Sequence, residues 1–208
     1  MTRILRIDSS ARPGNGGSRS RELADQIVKN LKAQEPDAEV VIRDLAIAPL
    51  PHISNETIAG FYTPPEQLTD DLRAALSLSD ELISELKSAD TIVISAPIYN
   101  FSVPSALKAW VDHVVRINQT FSYEDGQFGG LVADRPVYVA YAYGAVGYAK
   151  GGPLESYDFM RPYLTLLLNF IGLTSVTSFS VEGTTADDAA VSASAVEALA
   201  QVDAQFAA

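Results

Sequence analysis

The chain of 208 residues has no cysteine, only two histidines, two methionines and one tryptophan. Without cysteine there is no disulfide, no thiolate metal site and no thiol nucleophile. His52 and His113 stand too far apart in sequence to suggest a histidine metal cluster, and no metal is expected. Positive charge is also scarce, with 15 Lys and Arg against 26 Asp and Glu, a net charge of −11. Nucleic acid and anionic membrane surfaces both call for a basic face, so neither is expected as a main partner. Long apolar runs are missing too. The stretch Met1–Asp8 lacks the apolar core of a signal peptide, and the segment 164–171, between Pro162 and Gly172, is too short to span a bilayer. The chain reads as soluble and cytoplasmic.

What is present is a hydrophobic content of 47%, enough for a full core, and one stretch around which the chain is organised. Ile92-Val93-Ile94 is a short β-branched run suited to a strand buried on both faces of a parallel sheet. The run breaks at Pro97 into the loop Ile98–Ser102. Pro104 then takes a first helical turn, where its missing N–H costs nothing. Leu107, Trp110, Val111 and Val114 follow at helical spacing, which predicts a helix over 104–117. A strand thus delivers Tyr99, Asn100 and Phe101 to the carboxyl edge of a sheet, where open α/β sheets bind ligands. Two aromatics and an amide can clamp a planar ring; they can equally be a turn folded into the core.

The first strand, Arg3–Ile7, leads into Ser9–Ser20, a loop dense in Gly and Ser that opens a helix over 18–31 with Leu23, Ile27, Val28 and Leu31 inward. Ser18 or Ser20 can cap it. A Gly/Ser loop at a helix N-terminus offers unpaired N–H groups, hydroxyls from Ser10, Ser18 and Ser20, and charge from Arg12, Arg19 and Arg21. Neither GxxxxGK[ST] nor GxGxxG is present, since Gly14-Asn15-Gly16-Gly17 matches neither. Such a cradle suits a terminal phosphomonoester better than a pyrophosphate. A plain surface loop with an ordinary cap explains the same residues.

A second strand covers Val40–Ile42. The segment 46–65, with Pro49, Pro51, Pro64 and Pro65, is expected to be a long irregular loop of the kind that serves as a lid or partner surface. A helix over 66–88, a hairpin over 120–130 turning at Gly126, and a fourth sheet strand over 136–141 come next. A Gly/Tyr-rich loop then runs to Gly152. The helix 157–171 is apolar nearly all round, as when a sheet covers one side and another subunit the other. A fifth strand, 176–181, and an alanine-rich helix, 186–206, close the chain. Strand–helix alternation five times over, with no repeat and no linker, predicts one α/β domain over 1–208. It is a flavodoxin-like three-layer sandwich whose five parallel strands run in the order 2-1-3-4-5. That order gathers the loops after strands one, three and four on one edge, and suggests a ligand with a phosphate at one end and a flat ring at the other.

These residues resemble a known family. Ile7-Asp8-Ser9-Ser10 with Ser18-Arg19-Ser20, Arg43-Asp44-Leu45, Thr120-Phe121-Ser122-Tyr123 and Tyr163–Gly172 are its markers. The most specific is Ala96-Pro97-Ile98-Tyr99-Asn100-Phe101-Ser102-Val103-Pro104-Ser105-Ala106-Leu107-Lys108. Nearly end to end, the chain is similar to the FMN-dependent NADH:quinone oxidoreductases, also called azoreductases. The resemblance implies a homodimer with one FMN per subunit. Ser10, Ser18, Arg19 and Ser20 would hold the phosphate; Pro97, Ile98, Tyr99, Asn100 and Phe101 the isoalloxazine; Ala142, Tyr143, Gly144 and Ala145 the polar edge of the ring. It implies ping-pong turnover, in which NADH or NADPH reduces FMN and a quinone or azo compound then takes two electrons. Tyr123 resembles a residue of the acceptor pocket. No side chain has to act as acid or nucleophile, because the flavin carries the hydride chemistry.

Two departures stand out. Where relatives carry a Ser/Thr-Arg-Gly-Gly-type turn after strand four, this chain reads Ala142-Tyr143-Gly144-Ala145, and in the segment after strand two Phe61-Tyr62 stand in place of an arginine. Both would make the pocket more aromatic and less cationic. A flavodoxin-like electron carrier is the competing reading, favoured by the acidic surface. A response-regulator-like domain is set aside, because Asp8 stands alone and Val181-Glu182-Gly183 offers no lysine.

Overall fold

A computed structural model describes residues 1–14 and 17–207. Its sheet strands are β1 (Arg3–Asp8), β2 (Glu39–Asp44), β3 (Thr91–Pro97), β6 (Val137–Ala142) and β7 (Val176–Val181). They are ordered β2-β1-β3-β6-β7 and every neighbouring pair is parallel. Counting sheet strands alone, this is the expected 2-1-3-4-5 order. The remaining pair, β4 (Phe121–Glu124) and β5 (Gln127–Gly130), forms a separate antiparallel ribbon. β3, at the centre, is buried at all seven positions, which is why its sequence reads as a continuous apolar run rather than an alternation.

The pleat sorts the sheet side chains between two cores. On one face Leu5, Ile7, Ile92, Ile94, Val139 and Tyr141 meet α3 (Asp70–Ser88), α4 (Ser105–Val114) and α5 (Met160–Ile171) through Leu82, Leu86, Trp110, Val114, Leu164 and Leu168. On the other, Ile4, Val93, Ala140 and Phe179 meet α1 (Arg19–Gln34) and α6 (Asp188–Phe206) through Leu23, Ile27, Ala195, Ala198 and Val202. Each fully buried aliphatic side chain in these layers stabilises the fold by about 1.5–3 kcal/mol.

Boundaries move where local capping decides them. The segment 46–65 is not irregular throughout: it contains α2 (Asn55–Tyr62). Ser54 Oγ accepts from the Thr57 N–H at 3.2 Å and Thr57 Oγ1 accepts from the Ser54 N–H at 3.3 Å, a reciprocal box with Thr where Glu or Gln is usual. α3 starts at Asp70 rather than 66, because Thr69 caps it and Pro65–Gln67 forms a 3₁₀ turn. α4 stops at Val114 rather than 117. There the Thr120 hydroxyl donates to the Val114 carbonyl at 2.6 Å and accepts from the Arg116 N–H at 2.9 Å, turning the chain. α5 buries Met160, Leu164, Leu168 and Ile171 and leaves Leu166 at 67% exposure, so its second apolar face is uncovered in the single chain. The ribbon packs on α5 through Phe121 and Phe128, both against Phe170, with ring centroids 4.8 and 5.3 Å away.

Candidate functional site

The cradle begins where β1 ends. Ser9 is fastened to β3, its hydroxyl donating to the Ser95 carbonyl at 2.7 Å. Ser10 is buried, and its Oγ accepts from the Arg12 N–H at 3.2 Å. Asn15 and Gly16 lie outside the described residues. Ser18 occupies the cap position of α1 with extended backbone and makes no side-chain cap bond. Its hydroxyl instead lies 3.3 Å from that of Ser20, and both serines are buried. The first turn of α1 therefore keeps its N–H groups and two hydroxyls for an anion. Of the three arginines read as cradle charge, Arg19 is shared with Glu22 at 2.7 Å and Arg21 is buried beneath the loop among carboxylates. Arg12 is exposed and has no ion-pair partner among the described residues.

The loop after β3 is a hairpin turn of two residues. Tyr99 N–H donates to the Ser102 carbonyl at 3.0 Å and Ser102 N–H to the Tyr99 carbonyl at 3.1 Å. Between them Asn100 and Phe101 have φ of 47° and 71°, the left-handed pair of a type I′ turn. Asn tolerates that region, but a Phe there is strained by about 1–3 kcal/mol. Three bonds hold the turn in place. Tyr99 OH accepts from the Ala11 N–H at 3.2 Å, Ile98 N–H donates to the Ala142 carbonyl at 2.8 Å, and the Phe101 carbonyl accepts from the Phe159 N–H at 3.0 Å. Among the described residues the N–H groups of Asn100 and Phe101 meet no acceptor, so the turn presents two donors at the carboxyl edge. The Phe101 ring is half exposed, 5.8 Å from that of Tyr157.

The third loop leaves β6. Tyr143 continues the parity of Val139 and Tyr141, so its ring turns into the core and is fully buried. Its hydroxyl donates to Asp158 at 2.8 Å and accepts from Arg161 Nε at 3.3 Å, and its ring stacks on Tyr148 with centroids 4.8 Å apart. Arg161 also lies over the Tyr141 ring, 5.1 Å from its centroid. Burial raises both phenols well above the ordinary tyrosine range. Ala142 and Gly144 line the cavity at this edge and Tyr143 does not, so the expected aromatic enrichment by Tyr143 does not arise.

A cavity of about 360 Å³ joins these parts. Ser10, Ser18 and Arg19 line it from the cradle, Pro97, Ile98 and Tyr99 from β3, and Ala142 and Gly144 from β6. Another wall, Thr184, Thr185, Ala186, Asp188 and Val191, comes from the turn between β7 and α6 and from the first turn of α6, which sequence reasoning left out. Thr185 Oγ1 donates to the Gly144 carbonyl at 2.9 Å, as adjacency of β6 and β7 requires. The signal was there, a Gly-Thr-Thr turn at another strand's carboxyl end. Asn100 lines a second depression on the far side of the clamp with Ser102, Lys108 and Tyr163, where burial pushes the Tyr163 phenol up to about 12.

The molecule has clear relatives. The family profile described as flavodoxin-like fold matches residues 2–206. An FMN-dependent NADH:quinone oxidoreductase of Xanthobacter autotrophicus is 53% identical over 176 residues, 85% of this chain and 84% of that one. One of the same name from Herminiimonas arsenicoxydans is 48% identical over 88% of each chain. The crystal structure of an azoreductase from Bacillus anthracis superposes with a TM-score of 0.88 over 99% of both chains at 24% identity, a likeness of fold. The chain belongs to the FMN-dependent NADH:quinone oxidoreductases.

In this member of the FMN-dependent NADH:quinone oxidoreductases the three residues expected on the acceptor side do not line the cavity of their own chain. Phe61 is half-buried beneath the Arg116 guanidinium, 5.3 Å from its ring centroid. Tyr62 is 73% exposed at the end of α2, and Tyr123 is 54% exposed on the ribbon, 4.7 Å from the Phe128 ring. His113 is buried and bonds the Pro51 carbonyl through Nε2 at 3.0 Å, a tether for the segment before α2. His52 is exposed.

Proposed function

We propose that the chain is a two-electron reductase of quinones and azo compounds that binds FMN along the cavity and draws electrons from NADH or NADPH by a ping-pong cycle. The observation that carries this is the meeting of a hydroxyl-and-N–H cradle with a turn offering two unpaired N–H donors at the same sheet edge. The donor set fits FMN. Ser10, Ser18 and Ser20, the N–H groups of the first turn of α1 and the Arg19 side chain suit a phosphate dianion. Pro97, Ile98 and the Tyr99 ring suit a flat heterocycle, while the N–H groups of Asn100 and Phe101 suit acceptor atoms on its edge. Ala142 and Gly144 let that edge come close, with Tyr143 and Ala145 as backbone frame. When bound, FMN supplies hydride acceptance and two-electron donation. The protein's part is to bind, to orient and to donate hydrogen bonds where negative charge grows on the ring edge.

The homodimer belongs to the same reading. Leu166 on α5, Phe159 just before it, Phe101 on the clamp, and Tyr123 and Phe128 on the ribbon are exposed apolar side chains that a second copy would cover. Tyr123, Phe61 and Tyr62 would then border an acceptor pocket shared between subunits. Among the described residues no helix is long and apolar enough to cross a membrane, and a cytoplasmic location, where nicotinamide donors are at hand, belongs to the same reading.

The test is the visible spectrum of the purified protein, followed through anaerobic addition of NADH and then a simple quinone. Bleaching and recovery of a flavin band are expected; a colourless protein that takes up no added FMN sinks the reading. The net charge of −11 favours one second reading, an electron carrier that docks redox proteins. Steady-state NADH oxidation with quinone separates the two, since a carrier shows none.

A further inference from the structure

Beneath the cradle lies a buried charge cluster for which the reductase chemistry has no use. The pleat places Arg6 and Asp8 of β1 and Ser95 of β3 on the α1 face, where they meet Arg21. Asp8 and Arg21 are 2% and 6% exposed. Arg21 grips Asp44, at the end of β2, with its two terminal guanidinium nitrogens, Nη1 at 2.6 Å and Nη2 at 2.9 Å. Nη1 also reaches Asp8 at 3.2 Å, and Nη2 donates to the Ser10 carbonyl at 2.9 Å. Asp8 accepts from the Ser95 hydroxyl at 2.7 Å, and Asp44 Oδ1 accepts from the Ala46 and Ile47 N–H groups at 3.0 and 3.2 Å.

One guanidinium thus ties the carboxyl ends of β1 and β2 to the first turn of α1, with β3 joined through Ser95. It bonds the main chain of the cradle at the residue whose side chain faces the cavity. A planar fork with several fixed donors can do this; a lysine cannot. We propose that Arg21 is a positioning residue for the phosphate end of the flavin. It never touches the phosphate, but holds Ser10 and the α1 N-terminus at the separation that a phosphomonoester requires. The inference rests on the FMN reading above and adds to it the source of phosphate selectivity: the cradle distinguishes FMN from riboflavin only while the Arg21–Ser10 bond stands.

The test is the ratio of riboflavin to FMN dissociation constants, measured by fluorescence quenching on apoprotein, for the wild type, Arg21→Lys and Asp44→Asn. Arg21→Lys is expected to weaken FMN about tenfold and leave riboflavin within about twofold, in line with losses on removing groups that orient a ligand's own contacts. Asp44→Asn, which keeps Arg21 paired with Asp8 but loosens its grip, is expected to shift the ratio the same way by about threefold. Asp44→Asn carries the test alone should Arg21→Lys fail to fold. Equal weakening of both flavins, or of neither, overturns the proposal. A wild type that binds FMN no better than riboflavin overturns it too, while leaving the flavin reading intact. A wild type that binds neither flavin overturns both.

Discussion

The molecule contains two hairpin turns of one geometry and opposite chemistry. At the tip of the ribbon, Asp125 and Gly126 have φ of 52° and 78°, and Asp-Gly is what a type I′ turn asks for. At the clamp, Asn100 and Phe101 adopt the same left-handed pair, but a bulky side chain occupies the second position, where glycine would be relaxed. The first turn is written by its own residues. The second is imposed by its surroundings, through Ala11, Ala142 and Phe159, each from a different part of the chain. Backbone strain persists only where neighbours over-determine it, and here those neighbours come from the cradle loop, the end of β6 and the segment before α5. A relaxed turn closes a ribbon; a strained one aims two N–H groups.

The largest effect that would break this contrast is Asn100→Pro. Proline fixes φ near −65° and removes one of the two unpaired donors. We expect flavin affinity to fall by about 10- to 100-fold, the loss of a strong hydrogen bond of about 1.5–3 kcal/mol at about 1.4 kcal/mol per tenfold, as read by fluorescence titration. The reverse experiment is Gly126→Val. A side chain at φ 78° costs about 1–2 kcal/mol, which in a chain of this size is a fall of about 2–8 °C in Tm. Flavin affinity should stay within about twofold.

Acid should separate the regions next. The hydrogen bond from Arg21 holds the Asp44 carboxyl below the usual carboxylate range. A depressed folded-state pKa contributes stability that is complete above the unfolded value, about 3.9, and is lost as pH falls through the folded value. Thermal melts of the wild type and Asp44→Asn should therefore differ at pH 6 and converge as pH drops below about 4; a gap that stays constant would show that Asp44 contributes nothing through its charge. The smallest expected effect is Tyr123→Ala. Its ring is 54% exposed, so stability should change by about 0.5 kcal/mol or less. NADH-dependent bleaching should be unaltered while KM for quinone rises.

Much of the framework was legible. β3 announced itself as an unbroken β-branched run, and strand–helix alternation gave the sheet order. What escaped was written in shorter signals. α2 was hidden because its box pairs Ser54 with Thr57 and its eight residues include Gly60, too little for periodicity to register. Arg21 read as cradle charge beside Arg12 and Arg19, because it stands at the start of the helix that the Gly/Ser loop opens. Yet Arg21, Ala24 and Val28 share one stripe of α1, and Arg21 and Ala24 are buried. The inward turn of Tyr143 follows from the parity of Val139 and Tyr141, which a reading of 141–152 as loop overlooked. Thr184 to Asp188 were missed because three loops already seemed to complete the edge. Phe101 could not have been read as strained at all, since only distant residues hold it there.

The ribbon β4–β5 pairs with nothing in the main sheet and meets the rest of the chain by laying aromatic rings on α5. Its tip can lengthen, shorten or change its side chains without shifting the register of a single sheet strand. In a lineage of such proteins, heritable change at that tip would meet little resistance from folding; with Tyr123 bordering the acceptor pocket as proposed, the range of molecules accepted can drift while the flavin platform stays as it is.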